Sequence, residues 1–314
     1  MNEAQQAIPR RTGFAHNERP GHAPVQLFYE EFGAATDPTV LLVMGLGAQM
    51  LLWPTDLCEE LARLGFHVVR FDNRDIGLSS RLDGLQSKAT LPFRLVRLFL
   101  GLPSAMPYSL HDMASDAIAV LDHVGAPRAH VVGASMGGMI SQLLAADHPD
   151  RVLSLGLFFT CAIERFAIAP RAKILAFFAE TAPKNPTREQ EIDAFVRSYE
   201  HLAGRHYPLE TELLRRECEA MWDRNPDAEG PMRQLDAIIG TGSIAASAAR
   251  IDRPTVIIHG SDDPVIRVSC GESLARLIPG AKLNVVDGMG HTLPLVLLDF
   301  FVEELTANFA RAQA

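Results

Sequence analysis

Ser135 sits at the centre of His130-Val131-Val132-Gly133-Ala134-Ser135-Met136-Gly137-Gly138-Met139-Ile140, a short β-branched run that meets glycine and passes at once into a helical pattern. The turn has the form Gly-x-Ser-x-Gly, the nucleophile-elbow motif. Small neighbours are needed there, because a serine at the apex of a tight strand-to-helix turn brings the facing chain close to Gly133 and Gly137. The first N–H of the new helix, that of Met136, is then free to donate to a developing oxyanion. A serine hydroxyl is a weak nucleophile at neutral pH and needs a base, and the base needs an orienting acid. Two later stretches offer them. Asp263 follows the apolar run Thr255-Val256-Ile257-Ile258-His259-Gly260 and is held extended by Pro264. His291 lies in the glycine-rich turn Gly288-Met289-Gly290-His291 after the run Leu283-Asn284-Val285-Val286. Taken one at a time, an Asp-Asp-Pro turn or a single histidine among 11 is ordinary. Together, in the order Ser, Asp, His and each just past the end of a strand, they form a candidate triad. Asp262, next to the chosen acid, is expected to be solvated at the turn, because successive side chains leave a strand end in different directions.

The elements that must position these residues read as an α/β alternation. Val40-Leu41-Leu42-Val43-Met44 is a fully apolar run of the kind found in buried parallel strands. His67 to Phe71 and Val152 to Phe158 are further strands, and Val25 to Tyr29 reads as the edge strand of a hairpin. Helical spacing follows at Leu57, Leu61 and Leu64, and again from Asp112. Two readings attach to Gly45-Leu46-Gly47. With Asp72 at the end of the next strand, the pair resembles half of a dinucleotide fingerprint. The third glycine is absent, however, since position 50 is Met, and the helix starts too late to receive a pyrophosphate. In the other reading, the N–H groups of this loop complete an oxyanion hole beside the elbow. The polar loop Asp72-Asn73-Arg74-Asp75 is expected to find its partners internally. Leu91 to Leu102, apolar with Arg94 and Arg97, reads as a short amphipathic piece over a pocket mouth.

From about Cys161 to Ala249 the chain is helical and richly charged, with apolar faces such as Ile174-Leu175-Phe178 and Ile192-Phe195-Val196-Tyr199 that need a cover. The expected organisation is a core of residues 1–160 and 250–314, with 161–249 inserted as a helical cap. The 314 residues are 47% hydrophobic and 21% charged, ample for one large core. A net charge of −9 without a basic stripe argues against nucleic acid as a partner. No run reaches the ~18 uncharged apolar residues of a membrane span, and the polar N-terminus lacks the basic-then-apolar order of a signal peptide. The four scattered cysteines fit neither a disulfide framework nor a zinc site, which makes the cytoplasm the expected compartment.

These pieces resemble the α/β-hydrolase-fold esterases of the group that includes aclacinomycin methylesterase. The resemblance rests on Val43 to Gly47, Trp53-Pro54, Phe71 to Gly77, Gly133 to Gly137, His259 to Pro264 and Gly288 to His291. It implies a mostly parallel sheet with helices on both faces. It also implies Ser135 as nucleophile, Asp263 as acid, His291 as base, and the N–H groups of Leu46 and Met136 as oxyanion donors. No cofactor and no metal is implied. The segment from Arg81 to Ser109 is longer than the resemblance leads one to expect, and the cap shows no match, so polyketide methyl esters are not implied as the substrate. The expected activity is carboxylic ester hydrolysis through an acyl-enzyme. The same triad also serves N-terminal amide cleavage, C–C bond hydrolysis and cofactor-free perhydrolysis, and the fold can act as a small-molecule receptor.

Overall fold

A computed structural model describes residues 8–85, 90–102, 104–163, 186–207, 209–225 and 229–312. Its frame is one eight-stranded sheet in the order β1-β2-β4-β3-β5-β6-β7-β8. The strands are β1 (Arg10–Asn17), β2 (Val25–Phe32), β3 (Thr39–Val43), β4 (His67–Phe71), β5 (Ala129–Ala134), β6 (Val152–Phe158), β7 (Thr255–Gly260) and β8 (Lys282–Val286). β1 pairs antiparallel with β2, and β2 antiparallel with β4. From β4 to β8 every pairing is parallel. Every residue of β3, β4, β5 and β7 is buried, the consequence of covering both faces of a parallel sheet. β2 does not lie at the edge, contrary to the pattern read from Val25 to Tyr29. β1 pairs with it over eight residues and takes the rim. Only Ala15 and Asn17 of β1 are buried, so its sequence carries little apolar signal.

The helices are α1 (Thr55–Arg63), α2 (Leu91–Phe99), α3 (Leu110–His123), α4 (Met136–Asp147), α5 (Arg188–Leu202), α6 (Thr211–Arg224), α7 (Gly230–Thr241), α8 (Ala245–Ala248), α9 (Val268–Leu277) and α10 (Leu298–Ala310). One face of the sheet packs on α3, α4 and α9 through residues such as Leu121, Ile140 and Leu274. The other packs on α1 and α10 through Leu57, Leu61, Phe301 and Leu305. Between β6 and β7 the described chain is helical. Ile192 and Val196 of α5 and Leu214, Cys218 and Met221 of α6 form a small separate cluster, whereas Ala237 and Ile238 of α7 join the main core. The expected helix around Ile174 to Phe178 lies outside the described residues. Among the described residues no helix is long and apolar enough to cross a membrane.

His130 of β5 is 1% exposed, its ring stacked on Phe309 at 4.3 Å between centroids and its Nδ1 2.8 Å from Ser154 Oγ. Burial pushes its pKa down to about 4. The unfolded chain takes up this proton near pH 6.5 and the folded chain only near 4, so stability is complete above 6.5 and falls as the pH drops between the two. At pH 5 the loss from this residue is about 2 kcal/mol. Urea titrations at pH 7 and pH 5 should therefore show a smaller pH effect for His130→Gln than for the parent, by about that amount. An identical pH effect in both proteins would contradict the assignment.

Candidate active site

Ser135 joins β5 to α4 at φ 55°, ψ −120°, a conformation that a non-glycine residue seldom adopts. Four hydrogen bonds hold it. Its N–H donates to the Phe158 carbonyl at 3.0 Å, while its own carbonyl accepts from Gly138 N–H at 2.9 Å, Met139 N–H at 3.3 Å and Thr160 Oγ1 at 2.7 Å. The helix that follows runs against the end of β3. A Cβ on Gly137 would lie 2.0 Å from the Val43 carbonyl oxygen, so backbone has to sit where a side chain would otherwise begin. On the far side of the serine, a Cβ on Gly45 would lie 3.1 Å from Ser135 Cβ.

His291 meets the serine from the loop after β8. Its Nε2 is 3.0 Å from Ser135 Oγ, and its Nδ1 is 2.7 Å from Asp263 Oδ2. Asp263 is 1% exposed, and its other oxygen accepts the N–H groups of Val265 and Ile266, both at 2.8 Å. One carboxylate oxygen is thus fixed by backbone and the other is left for the imidazole. Neighbouring His259 donates Nε2–H to the Ile266 carbonyl at 2.9 Å, and burial pushes its pKa down. It closes the same loop. Asp262 points elsewhere, but it is not merely solvated as expected. Arg205 forms an ion pair with it, including an Nη2–Oδ1 contact of 3.0 Å.

Leu46, in the loop after β3, lines the same cavity as Ser135, and Met136 opens α4 directly after the serine; no described residue accepts from the N–H of either. The neighbours of Leu46 are pinned. Gly47 N–H donates to Gln234 Oε1 at 2.9 Å, Asn73 Nδ2 donates to the Met44 carbonyl at 2.8 Å, and Gln234 Nε2 donates to the Arg74 carbonyl at 2.8 Å. Asp72, which the dinucleotide reading would have given to a ribose, is fully buried. It accepts Met50 N–H at 2.8 Å and Leu78 N–H at 3.1 Å, and pairs with Arg224 Nη2 at 2.6 Å. No lone pair of it is aimed at a cofactor. Gln234 and Arg224 carry these roles without a sequence signal, being two polar residues in a charged helical stretch.

A cavity of about 190 Å³ opens onto Ser135 and His291. Leu46 and Ala48 line it from the core, Tyr199 and Leu202 from α5, Leu214 from α6, and Leu295 from the His291 side. Among the described residues none of α2 lines it, whereas the sequence suggested a piece over the pocket mouth. α2 instead docks Arg94 on Asp236 of α7 and leaves Phe93, Val96 and Phe99 exposed. Among the described residues no group of three or more His, Cys, Asp or Glu side chains is placed to hold a metal ion.

Residues 38–296 match the alpha/beta hydrolase fold family. The chain belongs to that family and is an esterase-like hydrolase. It is 29% identical over 290 residues to rhodomycin D methylesterase of Streptomyces peucetius, covering 87% of this chain and 91% of that protein. It is 30% identical over 297 residues to the rhodomycin D methylesterase of a second Streptomyces, with the same shares covered. Among solved structures, a Rhodococcus esterase superposes with a TM-score of 0.69 at 18% identity, over 96% of this chain and 98% of that one, a likeness of fold.

Gly137→Ala tests the close approach that sets this geometry. Because the new Cβ meets backbone and not a flexible side chain, it should destabilise the protein by ~3 kcal/mol, the upper end for overpacking, or more. Gly65→Ala is the control, with open space around its Cβ. It should cost less in urea unfolding even with its φ of +86°. Equal costs would place the constraint elsewhere.

Proposed function

We propose that the protein is a serine hydrolase that cleaves carboxylic esters through an acyl-enzyme, with residues 161–249 as its cap. The observation that carries this reading is the bridging imidazole, 3.0 Å from Ser135 Oγ on one side and 2.7 Å from Asp263 on the other. With the Nδ1 proton donated to Asp263, Nε2 keeps its lone pair towards the serine. Ser135 Oγ attacks the ester carbonyl as His291 Nε2 takes its proton. The carbonyl oxygen, now negative, is received by the N–H groups of Leu46 and Met136, the second at the positive end of α4. His291 then gives the proton to the departing alkoxide oxygen, and the C–O bond breaks. Water, deprotonated by the same imidazole, releases the acid and restores Ser135. Two relatives are named for methyl ester cleavage, which supports a carboxylic ester as substrate class. The apolar cavity favours acyl or alcohol groups with hydrocarbon character.

A fluorophosphonate probe should label Ser135, and a nitrophenyl ester should give a burst of nitrophenol matching the enzyme concentration. Ser135→Ala should lose both, with activity down by many orders of magnitude. Asp263→Asn should cut kcat by about four decades, because the imidazole is then held in the wrong tautomer. Asp262→Asn, which weakens an ion pair with the exposed Arg205 away from the imidazole, should cost less than about tenfold. Labelling at another residue, or turnover within about tenfold in Ser135→Ala, would sink the reading.

A further inference from the structure

On α6 and its N-cap, Glu210, Leu213, Leu214 and Glu217 recur at intervals of three and four, and all four line the cavity. A helix face laid over an apolar pocket should be apolar at each inner position. Leu213 and Leu214 are. Glu217 breaks the stripe. It is half-buried, and its carboxylate has no hydrogen bond or ion pair with any described residue. Arg70, the cation whose field reaches it, is already committed to Glu30 and to the Trp53 carbonyl. Burial pushes the Glu217 carboxyl up to about 7. Two more polar groups stand in the same cavity without described partners. These are the hydroxyl of Tyr199 and the buried Oγ1 of Thr292, the residue after His291. Among the described residues no Lys or Arg lines the cavity, so the carboxylates they bring to it, Glu210 at the exposed end and Glu217 inside, have no described cation opposite them. A partly desolvated carboxylate without a partner is costly, and a positively charged donor is the group that relieves the cost.

We propose that the cavity selects esters carrying a protonated amine remote from the reacting carbonyl, received by Glu217 with Tyr199 beside it. This rests on the esterase reading and narrows it to a substrate class. An ammonium group donates to the carboxylate in a charge-assisted bond, whereas an anionic substituent meets two like charges. A hydroxyl could also donate, but it would leave the negative charge of the pocket unbalanced. The preference expected for an amine over an isosteric methyl is about 10- to 100-fold in kcat/KM, most of it in KM.

The test compares matched esters on the full chain. In one set 4-nitrophenyl 6-aminohexanoate is paired with the heptanoate, and the 8-aminooctanoate with the nonanoate. In the other, 6-aminohexyl acetate is paired with heptyl acetate, which places the amine in the alcohol. The parent should favour the amine in at least one pair. Glu217→Gln, which keeps shape and removes charge, should lower that ratio by about 10-fold or more, and Glu217→Leu should turn it towards the alkyl ester. No amine preference in any pair, or the same ratio in parent and Glu217→Gln, overturns the proposal. If the parent turns over none of these esters, the esterase reading is what fails. Calorimetry with n-hexylammonium against n-hexanol then decides on Glu217. Tighter ammonium binding that is lost in Glu217→Gln supports the site, and equal binding of the two compounds rejects it.

Discussion

A serine at φ 55°, ψ −120° costs on the order of 1–3 kcal/mol and persists only where its surroundings allow nothing else. The surroundings here come from three consecutive members of the sheet. β6 supplies the Phe158 carbonyl for the serine N–H, and Thr160, just beyond β6, holds the serine carbonyl. β3 ends where the first turn of α4 passes, which is why the chain carries glycine at 137. The strain therefore depends on the register β3-β5-β6, which places Val43 opposite Gly133 and Gly133 opposite Leu157. That register also determines which residue of the loop after β3 faces the serine. The strained turn at Ser135 and the loop that carries Leu46 share one structural cause.

A second buried network joins the helices between β6 and β7 to this centre. Arg224 reaches Asp72, and Asn225 Nδ2 donates to the Gly77 carbonyl at 2.8 Å. Arg233, fully buried, lies 2.8 Å from Asp75, whose other oxygen accepts the Tyr108 hydroxyl at 2.7 Å. Gln234 holds Gly47 and Arg74 together. Burying an ion pair seldom adds net stability, since desolvation offsets the attraction, but removing one partner leaves a charge uncompensated. Such a network suits orientation more than strength. It lands on the loops after β3 and β4, the first of which brings Gly45 against Ser135. The helices that wall the cavity are therefore not a detachable cover. The loop carrying Leu46 is shaped partly by Gln234, 187 positions further along the chain.

Much of this was legible in the sequence because it depends on residue identity over short spans. All-apolar runs marked the parallel strands, and the glycines around Ser135 marked the turn. Asp263 before Pro264 and His291 among glycines marked the two loops that the fold brings to the serine. The polar loop after β4 was expected to bond internally, and Arg74 pairs with Asp116 at 2.6 Å. What could not be read depends on distance. Arg224, Gln234 and Glu217 look like ordinary solvated residues of charged helices, and only the packing gives them different roles. β1 was hidden for the opposite reason, since a rim strand has too little buried surface to impose an apolar alternation. In the segment around α2, apolar residues stay exposed, and periodicity alone could not tell that face from a buried one.

The two neighbouring acids 262 and 263 show how the wall of the cavity and the position of the His291 imidazole become a single constraint. Asp263 turns inwards to the imidazole and Asp262 turns outwards to Arg205, just past the end of α5. The same stretch touches the histidine loop twice more. The Leu202 carbonyl accepts His291 N–H at 2.7 Å, and His206 N–H donates to the Gly288 carbonyl at 3.3 Å. Gly204 is packed so closely there that a Cβ would lie 2.0 Å from the Gly288 carbonyl oxygen. Tyr199 and Leu202, which line the cavity, thus belong to the segment whose backbone holds the His291 main chain. A ligand that pushed α5 outwards would draw on the hydrogen bond that places the imidazole over Ser135. In this arrangement, fit of a ligand against α5 and alignment of the His291 imidazole cannot be varied independently. Side-chain replacements on that wall can be tolerated while shifts of its backbone cannot.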